Sequence, residues 1–417
     1  MNALTAGFVA AVALQAAVRL WLATRQIHAV TMHRDRVPPP FAGRIALADQ
    51  QRAADYTVAR THIGRWSALF DAALVLLLTV GGGLGLAGAA FQRFDWPEPW
   101  RGAAVVLAVL LVVEMAGLPF ALWRTFGVEA RFGFNRVTPG LFAVDLVKRS
   151  LLALLLGAPL VLATLALMQH AGRWWWLWVW IVLAGAMFAL TWAGPRFIAP
   201  WFNRFSPLDD AALKERVTAL AQRCGFAAGG GVFVMDGSRR SAHGNAYFTG
   251  IGRNKRIVFF DTLLARLDGA QIEGVLAHEL GHFKLHHVRQ RLLVSAAFTL
   301  GGLALLAWLA RLPAFYAALG VPLPSPEMAI LLFIVVVPVF TYFTTPLLAA
   351  WSRRHEREAD VFAADHADAH ALADALVKLY RDNASTLTPD RLHSAFYDSH
   401  PPALERIARL NALAAAA

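Results

Sequence analysis

His278, Glu279 and His282 form an H-E-x-x-H segment in this 417-residue chain. Residues 271–285 around it carry a helical pattern, and on a helix residues four apart share a face. Two imidazoles on one face can hold a Zn²⁺ ion. Zinc lowers the pKa of a coordinated water towards neutrality, and Glu279 beside the histidines can accept the proton. The segment thus carries the parts needed to hydrolyse a peptide bond. Gly281 weakens the helix yet sits between the histidines, where a small residue lets another element come close.

Such an ion needs a further protein ligand, and the nearby residues fail. Extending the segment to H-E-x-x-H-x-x-G-x-x-H would need glycine and histidine where the chain has Leu285 and Val288. His286 lies on the same face but eight residues beyond His278, about 12 Å along the axis at 1.5 Å per residue. A distant carboxylate is the better candidate. Residues 352–360, S-R-R-H-E-R-E-A-D, open another helical stretch. Glu356 and Asp360 share a face there, so one can ligate the ion while the other orients a ligand histidine.

The elements that must hold these residues are mostly apolar. Hydrophobic residues make up 57% of the chain and charged residues 16%, which excludes an ordinary soluble enzyme. Seven runs approach or exceed the length that crosses a bilayer: 3–23, 66–91, 103–123, 151–168, 174–194, 292–309 and 328–351. No Lys or Arg precedes the first run, which argues against a signal peptide. Basic residues crowd alternate loops. The first holds Arg25, Arg34, Arg36, Arg44, Arg52, Arg60 and Arg65, and the third Arg124, Arg131, Arg136, Lys148 and Arg149. The intervening loops carry only Arg93 and Arg101, then Arg173, then Arg311. This asymmetry puts the N-terminus outside, and the first, third and fifth loops and the tail in the cytoplasm. The net charge of +11 is mainly this excess, facing anionic lipid. No basic block is interleaved with stacking aromatics, so no nucleic-acid partner is expected. A single cysteine, Cys224, excludes an internal disulfide and suits a reducing compartment.

The pattern predicts a predominantly α-helical multi-pass membrane protein with a small α+β metalloprotease domain on the cytoplasmic side. Its parts are 1–194 with five spans, a catalytic loop 195–290, two further spans in 291–351, and a tail 352–417 bringing the last ligand. Within the loop, a helix is expected near 210–224 and strands at 231–235, 246–249 and 256–260. A hairpin turn is expected at 252–255. The tail reads as helical near 371–381 and 402–414. The stretch 245–250 is β-prone and flanked by glycine, an edge with which an extended peptide can pair. Asp71 and Glu114, inside apolar runs, point to a polar interior. Residues 81–85, G-G-G-L-G, read as small-residue helix packing.

These segments together resemble the type I CAAX prenyl protease family, which are integral-membrane zinc metalloendopeptidases. The likeness rests on 278–282, on 352–360, on 245–250 with 254–264, and on 399–406 (S-H-P-P-A-L-E-R); 132–135 and 200–208 extend it. It implies seven long helices around a large water-filled chamber, with the site facing inward. It implies that Glu356 is the third zinc ligand and Asp360 the carboxylate supporting a ligand histidine. Asn245 and His400 become hydrogen-bond donors to substrate or its oxyanion. One Zn²⁺ per chain, contact with membrane lipids, and a peptide or protein substrate, lipidated or membrane-bound, are implied as well. The oligomeric state is left open. Short loops and an Ala- and Arg-rich composition point to a bacterial inner membrane. Bacteria generally lack CAAX prenylation, so quality control of membrane proteins or peptides is the fitting task there. An inactive scaffold or transporter-like protein is expected to lack one of His278, Glu279, His282 and Glu356, and all are present.

Overall fold

A computed structural model describes residues 2–226, 230–249 and 256–416. Seven helices among the described residues are long and apolar enough to cross a membrane: Ala3–Met32, Leu47–Leu78, Glu98–Glu129, Pro139–His170, Gly172–Phe202, His287–Leu309 and Pro326–His366. Most extend beyond the apolar runs, because helix hydrogen bonding continues past the lipid wherever the backbone is not interrupted. Trp66, Leu86, Leu155, Trp178 and Leu347 are large apolar side chains left exposed, suited to hydrocarbon. Inside, Phe8, Val12, Val106, Val179 and Leu332 pack a core between helices.

The second span differs from its apolar run. The helix ends at Leu78, and Gly83–Phe91 forms a separate short helix. The reason lies in residues 81–85. Gly82 has φ of +78°, and a Cβ on Gly81 would meet the Leu77 carbonyl oxygen at 2.7 Å. These glycines make a turn; only Gly85, against Pro322 and the Gly320 carbonyl, matches the expected close packing. Asp71 pairs with Arg19 of the first span at 3.0 Å, while Glu114 is exposed.

The seventh span is the one that reaches the site. Pro326–Thr341 gives way to a 3-10 turn at Tyr342–Thr344 and then to the helix Thr345–His366. Pro338 and Pro346 flank this change of pitch, as missing N–H donors lead one to expect. The lower helix leaves the apolar region and carries Glu356 and Asp360.

Four strands form a sheet in the order β1-β2-β4-β3, with β1 Phe205–Pro207, β2 Val232–Met235, β3 Ala246–Thr249 and β4 Arg256–Phe260. β2 and β4 are parallel, and β3 runs antiparallel to β4. Among the described strands β3 is an edge. The expected turn at 252–255 lies outside the described residues. Ile257, Val258 and Phe259 are buried in succession, as befits a strand covered on both faces. The sheet, the helix Ala211–Arg223 and the helices Ala369–Asp382 and Ala403–Ala416 share one core. Val217, Leu220, Phe259, Leu276, Leu372, Ile407 and Leu410 meet in it, with Phe41 from the first loop. The fifth loop and the tail therefore fold as one body, as halves of a shared hydrophobic interior must.

Candidate metal centre

The helix Gly269–Lys284 opens with a reciprocal cap. The Asp268 carboxylate accepts from the Gln271 N–H, and the Gln271 side chain accepts from the Asp268 N–H. Ile272, Leu276 and Leu280 bury one face in the core. The adjoining face presents His278, Glu279 and His282 to the cavity they line. Gly281 lets the helix Thr345–His366 approach: a Cβ there would meet Cα of Ala359 at 3.0 Å. That approach sets Glu356 and Asp360, one turn apart, against the two histidines.

Nε2 of His278 lies 3.3 Å from Glu356 Oε2, and Nε2 of His282 lies 3.3 Å from Oε1. One ligand atom from each of the three residues falls within 4.8 Å of the others. Glu356 is buried, and its Oε2 makes no hydrogen bond although ring nitrogens of His278 and His400 each stand 3.3 Å away. A buried carboxylate oxygen left without a donor is costly. The Nε2 atoms of His278 and His282, facing the two oxygens of the Glu356 carboxylate, fit a divalent metal ion.

Asp360 is turned away from this point. Its Oδ1 lies 2.8 Å from Nδ1 of His278, and Arg406 donates to both carboxylate oxygens at 2.9 and 2.7 Å. Arg406 also brings a guanidinium nitrogen to 3.7 Å from Glu356 Oε2. Burial and Arg406 press the pKa of His278 down, but the Asp360 and Glu356 carboxylates outweigh them and push it up to about 9. Burial raises the pKa of Glu279, with His278 and His282 pulling against it. A carboxylate raised in this way is better matched to accept a proton near neutral pH.

The proposed ligands and Glu279 line a cavity of about 260 Å³ with Arg291, Ser352 and His400. Ser399 and His400 also line a second cavity of about 720 Å³, walled by Arg19, Tyr56, Arg60 and Asn383. The small cleft thus adjoins a larger space between the first two spans and the tail. Two arginines bring His400 there. Arg25 of the first span makes a two-pronged pair with Asp390 at 3.1 and 2.8 Å. Arg353 donates to the carbonyls of Ser394, Ala395 and Asp398. The Ser399 hydroxyl meets Nδ1 of His400 at 2.9 Å, which leaves Nε2 facing Glu356. Desolvation lowers the pKa of His400, and the Glu356 charge only partly offsets it.

Asn245 stands apart. Its Oδ1 accepts from the Ala246 N–H at 2.9 Å, its side chain is exposed, and it is not among the residues lining the metal cavity. It heads the edge strand β3, which packs against the H-E-x-x-H helix. Sequence reasoning gave no role to two residues that the structure brings close. Arg406 lay inside the 399–406 segment without a partner, and His287, five residues past His282, passed unremarked.

Seven membrane-competent helices, with an H-E-x-x-H helix and a carboxylate from the seventh, define a membrane-embedded metallopeptidase. Comparison with known proteins agrees. The family "CAAX prenyl protease N-terminal, five membrane helices" matches residues 26–204, and "Peptidase family M48" matches 207–414. The chain belongs to peptidase family M48. It is 37% identical over 317 residues to a CAAX prenyl protease 1 homolog of Oryza sativa, covering 74% of this chain and 72% of that one. A Homo sapiens CAAX prenyl protease 1 homolog is 30% identical over 448 residues, covering 95% and 93%. The crystal structure of S. mikatae Ste24p superposes with a TM-score of 0.92 at 26% identity, covering 99% of this chain and all of that one.

Proposed function

We propose that this protein is a zinc metalloendopeptidase of the CAAX prenyl protease type, in which His278, His282 and Glu356 hold one Zn²⁺. The observation that carries this reading is the buried Glu356 Oε2, which faces ring nitrogens of His278 and His400 without a hydrogen bond, while His282 faces the other oxygen. Zinc held there supplies Lewis acidity to the scissile carbonyl and lowers the pKa of water. Glu279 is the general base and receives the proton on its carboxylate. Asp360, held by Arg406, accepts from Nδ1–H of His278 and keeps the Nε2 lone pair turned towards Glu356. His400 donates from Nε2 to the oxyanion that forms as the carbonyl is attacked. The edge strand β3 pairs with an extended peptide through backbone groups, with Asn245 at its head as a further donor. Backbone pairing needs few particular side chains, so a range of peptide or protein substrates, lipidated or membrane-bound, can be held.

The excess of basic residues in the first and third loops supports a reading in which the body formed by 195–290 and 352–417 lies on the cytoplasmic side, with 1–194 and 291–351 contributing the spans; the Ala- and Arg-rich composition supports a bacterial inner membrane. In that setting the fitting task is clearance of membrane proteins or peptides.

Glu279→Gln keeps shape and loses basicity. Its turnover on a fluorogenic peptide should fall by about 10²–10⁴-fold, with one zinc per chain retained by elemental analysis. Cleavage at the wild-type rate by this variant would remove Glu279 from the mechanism.

A further inference from the structure

His282 is supported by a chain of contacts that leads outward. Its Nδ1 lies 2.9 Å from Nδ1 of His287. Nε2 of His287 lies 3.1 Å from Glu358 Oε2, and Arg354 donates to the other Glu358 oxygen at 2.8 Å. Chemistry fixes the direction of each bond. Glu358, paired with Arg354, is a carboxylate and only accepts. His287 therefore donates from Nε2. A neutral imidazole that donates from one nitrogen accepts at the other, so the proton between the two Nδ1 atoms belongs to His282. Nε2 of His282 is then bare, and that is the atom 3.3 Å from Glu356 Oε1.

We propose that His287 is a positioning residue for the metal: it transmits the hold of Glu358 to His282 and so fixes the tautomer and ring angle that His282 presents to the ion. This rests on the metal assignment made above. The local backbone is built for the contact. On a continuous helix the fifth residue on would point about 140° away from His282. The chain instead turns at His286, which has φ of +59°, and restarts a helix at His287. His287 is 1% exposed. Its ring stacks on His355 at 4.0 Å and 5°, and His355 is fixed in turn by Gln290 at 3.1 Å and by Trp351.

A second metal at His287, His355 and Glu358 is the competing occupant, since they offer atoms within 4.8 Å of one another. Two features oppose it. Both nitrogens of His287 are engaged in hydrogen bonds, and lone pairs of parallel stacked rings point along separate planes rather than at one ion.

The test is zinc affinity of the full-length chain in detergent, stripped of metal and titrated with zinc against a chromogenic chelator. His287→Phe keeps the stacked ring and removes both hydrogen bonds; its affinity should fall by about 10–100-fold. His287→Asn restores an acceptor near the position of Nδ1 and should recover most of that loss. The metal-free forms should melt together, which separates positioning from folding. Wild-type affinity in His287→Phe overturns the proposal, as does a folded His287→Asn variant no tighter than His287→Phe. Two zinc equivalents in the wild type, falling to one in His287→Phe, would make the cluster a metal site instead. The double variant His278→Ala, His282→Ala serves as control. If it binds zinc like the wild type, the metal assignment itself fails, an outcome distinct from failure at His287.

Discussion

His278 and His282 face the same carboxylate from one helix, yet they are supported by unequal means. Behind His278 stands Asp360, gripped by Arg406, and the side chains of Asp360 and Arg406 are 1% and 5% exposed. Behind His282 stand His287 and Glu358, and the outer pair opens to solvent, with Glu358 at 37% and Arg354 at 73%. The first arm is one hydrogen bond long and deep; the second is two long and ends at the surface. Charge pairs in the interior are poorly screened and costly to break, whereas exposed pairs are screened and contribute little. The first arm should therefore carry stability as well as geometry, and the second mainly geometry.

Breaking the deep arm gives the largest effect. Arg406→Met leaves Asp360 buried with His278 as its remaining partner, and should destabilise the protein by about 3–5 kcal/mol, the usual result of orphaning one member of a buried pair. Adding Asp360→Asn should restore part of that loss, because the stranded charge is gone. Chemical denaturation of the purified variants measures both. A single variant as stable as wild type would show that depth does not distinguish the arms.

Next comes the far end of the second arm. Glu358→Gln keeps an oxygen that can accept from His287 but removes the charge that fixes the bond's direction. Zinc affinity should fall by less than about tenfold, below the range for partners that touch a ligand directly. Chelator competition reads the change. A loss equal to that of His287→Phe would mean the charge, not the ring, governs the arm.

The sequence carried these arms unevenly. The H-E-x-x-H pair was legible because i, i+4 spacing alone puts both rings on one face. Glu356 and Asp360 were legible as a pair for the same reason. Which of them faces the Nε2 atoms of the two histidines depends on how Thr345–His366 is rotated about its axis, set by contacts such as Gly281 against Ala359. Family resemblance, not spacing, distinguished them. Arg406 was out of reach because its partner Asp360 is 46 residues away, and only the packing of the tail helix brings them together. His287 escaped because periodicity assumes an unbroken helix, and a left-handed residue that is not glycine leaves no mark in the pattern. In the membrane part, apolar runs located the spans, but the second was displaced because a helix extends through polar residues before Trp66 and stops at glycines after Leu78. The strands of the sheet-bearing body were read from short β-branched and aromatic runs, while β1, three residues long and holding a proline, had too little pattern to show.

The smallest effect should come from the outermost residue. Arg354 meets Glu358 as an exposed i, i+4 pair on one helix. Such pairs contribute about 0.3–0.5 kcal/mol and weaken in salt. Glu358 without Arg354 remains a carboxylate in contact with water, so it still accepts from His287, and the direction of each bond in the arm is unchanged. Arg354→Ala should accordingly alter stability by no more than about 0.5 kcal/mol and leave zinc affinity near wild type, at low and high ionic strength alike. Parallel denaturation and chelator titrations beside Arg406→Met provide the contrast. Were Arg354→Ala to cost as much as Arg406→Met, the second arm would be acting as a structural ion pair, and the division of labour between the two histidine supports would not hold.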